Sequence, residues 1–368
     1  MAPKGKSAEK IIGSDIRSAE TLPTEYYRDP KYFELAKDRI FARSWQLAVD
    51  GDRLDAAGKC LPWTMLEGYL DEPLVWTRDD QNKVHCFSNV CTHRGNIIVE
   101  NECQSNGSMR CRYHGRRFDL TGRYLSAPGF EDALEFPTDR DDLPHAEFDS
   151  WGKFLFASLN PAFSFDDLIG DMRDRLSWMP LHKLVFDPLR SREYETQANW
   201  ALYVENYLEG LHVPFVHPGL AAVIDTKDYR YEQQRFSNLQ IGLATKGDDA
   251  FDLPPDSPDA NLGVAAYYYW LFPNVMFNFY PWGASINLII PVSPSVTRVR
   301  FLTYVSDPSR LGSASPELID KTEREDQDIV QQVQKGIRSR LYKRGRYSPQ
   351  WEPNVHHFHT LLADFLSD

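Results

Sequence analysis

Two short glycine-bearing loops, CTHRGNIIV at 91–99 and CRYHGRRF at 111–118, constrain this chain more than any other feature. Each supplies one cysteine and one histidine, as Cys91-x-His93 and Cys111-x-x-His114, with seventeen residues between His93 and Cys111. A glycine follows each pair (Gly95, Gly115), where a tight backbone turn favours a residue without a Cβ. Two metal chemistries use such a donor set. Structural zinc takes two thiolates and two imidazoles, but usually as two Cys from one turn and two His from a helix. A two-iron cluster is the alternative: both thiolates hold one iron and both imidazoles the other, if the loops approach from opposite sides. Neutral imidazoles in place of two thiolates remove negative charge, which raises the cluster potential by roughly several hundred millivolts. Such a centre accepts single electrons from a ferredoxin or a flavin reductase.

The chain's 368 residues suit one large or two moderate domains, and its 42% hydrophobic and 13% aromatic content is ample for a buried core. A formal charge of −12 argues against nucleic acid or an anionic membrane as partner. The N-terminal MAPKGKSAEKIIGSD lacks the apolar segment of a secretory signal. The longest apolar run, Val264 to Phe272, ends at Pro273 and is too short to span a bilayer. Five cysteines, an odd number without a secretion signal, point to a reducing, cytoplasmic location in which Cys/His spacing signals metal. Cys60, Cys86 and Cys103 fall outside the pattern and read as packed thiols.

Residues 1–23 read as a flexible tail, and apolar spacing over 24–45 predicts a helix. Over 46–160 short alternating runs such as PLVWTRDD, KVHCFSNV and WGKFLFASL predict antiparallel sheet, with both Cys/His loops inside it. Residues 161–368 form the remainder: helical texture at SFDDLIGDMRDRLSWM and NWALYVENYLEGLH, then a polar loop or lid at 245–263. Strands follow at AAYYYWLF, VMFNFYPW, SINLIIPVSP and VRFLTYVS, and a helix covers about 317–341. The organisation is a β-rich module inserted early in a larger α+β domain.

A second constellation lies in NWALYVENYLEGLHVPFVHP at 199–218. A helix from Trp200 that runs on to His212 places Glu209 and His212 on one face, and Val213-Pro214 then ends it. The short excursion lets His217 return to the same point. Two imidazoles and a carboxylate with open positions suit a non-haem Fe(II) that binds O₂. The late helix KTEREDQDIVQQVQKGIRSRL offers the carboxylate. Asp326 and its competitor Glu323 share the buried face, whereas Asp328 turns to solvent. The C-terminal VHHFHTLL shows no ligand spacing, and its helix is expected to pack Phe358, Leu361, Leu362 and Phe365.

The paired loops resemble the Rieske [2Fe–2S] motif, and 209–217 resembles the E/D-x-x-H-x(4)-H segment of Rieske non-haem iron oxygenase α subunits. Respiratory Rieske proteins carry two extra loop cysteines that form a disulfide. Asn96 and Tyr113 stand in those places here, so the likeness is to the oxygenase and ferredoxin branch. The resemblance implies a [2Fe–2S] cluster on Cys91, His93, Cys111 and His114, and a mononuclear iron on His212, His217 and a late carboxylate. Glu325-Asp326 followed by Val333-Gln334-Lys335-Gly336 matches the family pattern and favours Asp326 as that carboxylate. The family assigns the Glu209 position not to the iron but to a bridge toward a cluster histidine of a neighbouring subunit. The implied fold is α+β, a Rieske β-sandwich inserted in a helix-grip (START-like) catalytic domain with an antiparallel sheet. A homotrimer, O₂ as co-substrate and NAD(P)H acting through a separate reductase are further implications.

The substrate is less legible. Aromatic density over 267–282 predicts a lining of Tyr267, Tyr268, Tyr269, Trp270, Phe272, Met276, Phe277, Phe279, Tyr280 and Trp282, with Tyr269, Phe277, Phe279 and Trp282 nominated for substrate. Such a lining suits a flat aromatic or a cage for a quaternary ammonium. ENYLEGLHVPFVHP and YYYWLFPNVMFNFYPWG are similar to the choline and carnitine monooxygenase branch, implying monooxygenation or N-demethylation of a small quaternary ammonium compound. Aromatic-ring dioxygenation is the alternative. A Rieske electron carrier without mononuclear iron is the rival from another class.

Overall fold

Asp29 and Pro30 divide the expected N-terminal helix in two. The computed structural model describes residues 11–217, 229–244, 249–313 and 316–367. Within these, α1 (Glu25–Arg28) stops at Asp29, whose extended backbone is what a residue before proline prefers. The Asp29 side chain accepts from the Lys31 N–H at 2.9 Å, and Pro30 opens α2 (Pro30–Arg39). The tail expectation also needs correction. Residues 11–23 are packed, with Ile12, Ala19 and Leu22 buried. Arg344 and Arg346 hold them by donating to the carbonyls of Ile11 and Arg17 at 2.8 and 2.7 Å. Two cations far along the chain carry that information, which no local pattern reveals. Residues 1–10 lie outside the described ones.

The chain divides into two compact units, one of Phe41–Phe163 and one of the residues on either side of it. The first holds three antiparallel sheets. One runs β1 (Gln46–Asp50), β10 (Phe154–Ser158), β9 (Glu147–Trp151). A second runs β4 (Val84–Ser88), β3 (Glu72–Arg78), β2 (Lys59–Met65), β5 (Cys103–Gln104). The third runs β6 (Ser108–Arg110), β7 (Arg117–Asp119), β8 (Tyr124–Ser126). Cys91 and Cys111 belong to its apolar core, with Val75, Phe87, Phe118 and Leu143. Cys60 and Cys86 are packed as expected, but Cys103, opposite Cys60 on the short edge strand β5, is exposed.

The second unit is built on an eight-stranded antiparallel sheet. Its order is β11 (Val185–Phe186), β18 (Val296–Val305), β17 (Gly283–Ser293), β16 (Val275–Tyr280), β15 (Val264–Leu271), β14 (Ser237–Leu243), β13 (Arg230–Gln233), with β12 (Arg192–Thr196) also on β18. Alternation along β15 and β16 sends neighbouring side chains to opposite faces. On one face α3 (Phe165–Arg175) packs, and its Asp171 accepts from the Tyr269 hydroxyl at 2.7 Å. On the other lie α4 (Trp200–Tyr207), the short α5 (Val213–Val216), the long α6 (Pro316–Gly336) and α7 (Pro353–Ser367). α6 stops at Gly336, five residues before the expected end. α7 buries Phe358, Leu361 and Leu362. The described part of the expected lid, 249–263, has neither helix nor strand. Ion pairs pin it: Asp249 to Arg310 and Asp259 to Arg175.

Gly283 opens β17 at φ +152°, and a Cβ there would sit 2.1 Å from the Tyr304 carbonyl oxygen. Gly283→Ala must therefore displace β18 and is expected to cost about 2 kcal/mol or more. Thermal unfolding measures this, and a wild-type midpoint would refute the clash.

Candidate metal sites

The two Cys/His loops fold alike. In the first, the Cys91 N–H donates to the Asn96 carbonyl at 2.8 Å and the Gly95 N–H to the Cys91 carbonyl at 3.0 Å. The second repeats this, Cys111 to Arg116 at 2.8 Å and Gly115 to Cys111 at 3.0 Å. Both turns close through a left-handed glycine, φ +71° at Gly95 and +76° at Gly115. Cys91 and Cys111 are buried, whereas His93 is part-exposed and His114 exposed, their rings 4.7 Å apart. Burial pushes the Cys91 thiol up, and the adjacent Cys111 adds to the shift. Burial also lowers His93, helped by the charges of His114 and Arg116, which favours the neutral imidazole that a metal needs. Two crowded thiols beside two facing imidazoles fit a cluster that takes sulfur on one iron and nitrogen on the other.

The second constellation also assembles, although not by the expected helix. α4 ends at Tyr207, so Glu209 and His212 lie in the loop beyond it. Pro214 sits in the first turn of α5 and starts that helix instead of ending α4. The Glu209 carboxylate replaces the missing helical bonds by accepting from the backbone N–H groups of Leu211 and His212. It also accepts from His212 Nδ1 at 2.6 Å. His217, buried at the end of α5, gives Nδ1 to Glu325 and Nε2 to Asp326, both at 2.9 Å. His212 Nε2 lies 3.6 Å from the same Asp326 oxygen.

Ligand atoms of His212, His217 and Asp326 all lie within 4.8 Å of one another. Each imidazole has its Nδ1 on a carboxylate and its Nε2 toward Asp326, the arrangement that orients histidines for a metal. Burial opposes charge on His217, but Asp326 and Glu325 outweigh it and raise its pKa. The competitor Glu323 is engaged elsewhere, accepting from the Tyr203 hydroxyl at 2.8 Å. The donor set fits a divalent iron.

The nominated substrate residues do not all meet this site. Tyr269, Phe277 and Phe279 are fully buried on the sheet face that α3 covers, so their nomination is corrected. The opposite face carries Tyr268, Asn278 and Tyr280. Tyr207 of α4 donates to Asn278 at 2.8 Å, and Tyr280 stacks on Trp282 with ring centres 5.1 Å apart. Tyr229 and Tyr231 lie against the metal loop: a Cβ at Gly210 would meet the Tyr231 hydroxyl at 3.4 Å and the Tyr229 ring at 3.7 Å. Tyr268 and Tyr280 were expected among the lining aromatics, whereas Glu325, Asn206 (2.6 Å from Asp326), Tyr207, Tyr229 and Tyr231 were not nominated from sequence. Of these only Glu325, in the Glu325-Asp326 doublet, offered a signal.

The family described as Rieske [2Fe-2S] domain matches residues 45–137, and that described as ring hydroxylating alpha subunit (catalytic domain) matches 186–368. The chain is 30% identical to a chloroplastic choline monooxygenase of Arabidopsis thaliana, covering 94% of this chain and 83% of the relative. The carnitine monooxygenase oxygenase subunit of Escherichia coli (strain K12) is 28% identical, covering 96% and 95%. A solved quaternary ammonium Rieske monooxygenase in complex with L-carnitine shares the fold at a TM-score of 0.78 and 23% identity, covering 98% of this chain and 99% of that one. Naphthalene 1,2-dioxygenase from Rhodococcus sp. bound to indole does so at 0.74 and 16%, covering 94% of each.

Asp326→Ala is expected to lower iron from about three to about two per chain, while Glu323→Ala keeps all three. Elemental analysis of anaerobically reconstituted protein reads this directly. Full iron in the Asp326 variant would place the third ligand elsewhere.

Proposed function

This chain belongs to the Rieske non-haem iron oxygenase α subunits, and we propose that its substrate is a small quaternary ammonium compound, hydroxylated on carbon next to nitrogen. It is the oxygenase component of a system that uses O₂ and reductase-supplied electrons. When bound, the cluster supplies single electrons and the mononuclear iron activates O₂ for insertion into a C–H bond. The observation that carries the substrate reading is the tyrosine group beside the metal loop. Tyr207, Tyr229, Tyr268 and Tyr280 each keep some accessible surface, yet burial is the main cause that raises every one of their pKa values. Tyr268 is pushed up to about 12, so this phenol stays neutral in ordinary buffers. Neutral ring faces grouped beside the metal loop attract a cation that hydrogen bonds cannot hold. The names of the choline and carnitine monooxygenase relatives agree with this reading.

The chain's own residues divide the work. His212, His217 and Asp326 would hold the iron, and Cys91, His93, Cys111 and His114 the cluster. Glu325 orients His217, and Asn206 fixes the Asp326 oxygen at 2.6 Å. Glu209 is the positioning residue of the loop. As an ionised acceptor it satisfies two backbone donors and His212 Nδ1 at once, leaving Nε2 for the metal. Its place in the family pattern makes it also the bridge between subunits. A homotrimer is the proposed assembly, and Phe215, 81% exposed next to the metal loop, is apolar surface for a neighbour to cover. The proposed partner is a ferredoxin or flavin reductase fed by NAD(P)H. The proposed location is the cytoplasm: all five thiols are free, and no helix among the described residues is long and apolar enough to cross a membrane.

Purified protein with a surrogate reductase is expected to release formaldehyde, or a hydroxylated product, from trimethylammonium compounds and not from small aromatics. A cis-dihydrodiol from an aromatic would instead establish ring dioxygenation. Glu209→Gln offers one acceptor where the carboxylate serves three donors. It is expected to retain both metal sites while slowing turnover roughly 10- to 100-fold, and wild-type turnover would remove the role given to Glu209.

A further inference from the structure

Asn96 and Tyr113 occupy the two places where a disulfide would otherwise join the cluster loops, yet the loops are joined. Every second residue of the first loop contacts the second. Thr92 Oγ1 accepts from the Arg116 guanidinium at 2.9 Å. The Arg94 guanidinium lies 5.7 Å from the centre of the Tyr113 ring, which itself packs on His114 at 3.7 Å. Asn96 Nδ2 lies 3.6 Å from Cys111 Sγ. The contacts run in antiparallel order, 92 with 116, 94 with 113 and 96 with 111.

The outer rungs are the built ones. Arg116 is 2% exposed, and its guanidinium stands 5.2 to 5.3 Å from the ring centres of Tyr124, Phe130 and Phe136. Its charge is met by Asp141, 3.2 Å away, while the Thr92 hydroxyl donates to the Asp141 carbonyl at 2.8 Å. Phe130 in turn packs edge-on against the His93 ring at 5.2 Å. Because Asp141 offsets its charge, Arg116 acts mainly by geometry. It fixes the first loop between its two ligands, Cys91 and His93. Asn96 acts electrically. Its amide nitrogen also donates to the Ile97 carbonyl at 2.5 Å, a group that can only accept, so the N–H₂ and not the oxygen faces the sulfur.

We propose that residues 92, 94 and 96 with 116, 113 and 111 form a non-covalent clamp in place of a disulfide, in which Arg116 and Thr92 set the spacing of the ligand loops and Asn96 raises the cluster potential through an N–H···S bond to Cys111. The electrical part follows from charge. Reduction adds negative charge that spreads onto the ligand sulfurs, and a donor aimed at one of them stabilises the reduced form. The proposal rests on the cluster assignment above.

The test uses full-length, cluster-loaded protein. Asn96→Leu keeps the volume and removes the donor. Redox titration followed by EPR is expected to show a reduction equilibrium shifted about tenfold toward the oxidised form, which is ~59 mV for a one-electron couple, with iron and sulfide content unchanged. Thr92→Val removes both hydroxyl bonds at equal shape. It is expected to bleach several-fold faster on warming and to broaden the EPR g values, as is Arg116→Lys, which keeps charge but loses the planar fork. Should the Arg116 variant fail to fold, Thr92→Val still reads the same rung. An unchanged potential in Asn96→Leu, or wild-type bleaching in Thr92→Val, overturns the corresponding half of the clamp. Wild-type protein that takes up no cluster would overturn the clamp and the underlying assignment together, a result plainly different from normal loading with silent variants.

Discussion

His217 is held at both ring nitrogens by adjacent carboxylates of one helix, Glu325 on Nδ1 and Asp326 on Nε2. Successive helical residues point about 100° apart, so they can grip opposite edges of a ring only if that ring lies across the helix. α5 provides that approach, delivering His217 from its C-terminal end onto α6. Glu209 adds a third carboxylate, on His212. Three acids around two imidazoles carry a surplus of negative charge in a largely desolvated place, and like charges brought together this way are costly. A proton on His217 offsets part of it, which is why that histidine is raised. A divalent cation held by His212, His217 and Asp326 would offset more. The acidity of the pocket and its metal preference are one property.

What the sequence revealed follows the same logic. The Cys/His loops and the His212/His217 spacing were readable because ligand residue types at short separations survive any error in secondary structure. The helix running to His212 was misjudged: Glu209 competes locally for the backbone N–H groups of Leu211 and His212, a side-chain choice that helical periodicity cannot register. Asp326 and Glu323 share a helix face, and only a hydroxyl from another helix, that of Tyr203, separates their roles. The substrate residues failed for a different reason. β15, VAAYYYWL, is covered on both faces, so it has no polar alternation to say which side meets the metal. Of the adjacent aromatics expected to line the pocket, Tyr268 and not Tyr269 lies on the face away from α3.

The Phe41–Phe163 unit shows a complementary limit. Its two Cys/His loops were legible, but the contacts that join them were not, since a hydrogen bond from Asn96 or Arg116 has no sequence period. Position still helped: with Asn96 and Tyr113 where cysteines could stand, the loops must be either untied or tied without a covalent link. Cys111 Sγ beside Asn96 and Thr92 beside Arg116 show the second outcome.

In the other unit one short helix sets the register between metal and sheet. From α4, Tyr203 reaches Glu323 and Asn206 reaches Asp326, both on α6. Tyr207, one place further on, turns to the sheet and bonds Asn278 and the Tyr269 carbonyl. Gln240 on β14 then donates to the Tyr207 carbonyl at 2.7 Å, tying the helix end to the strand that carries its partner surface. The metal loop starts two residues later. Displacing α4 by one residue would therefore exchange its α6-facing and sheet-facing side chains and detach the loop from both. Effects of substitutions at Tyr203, Asn206 and Tyr207 should not add, because each residue holds the same rigid element against a different neighbour. The geometry of His212, His217 and Asp326 and the shape of the tyrosine-lined face are, through this helix, fixed by a single docking event.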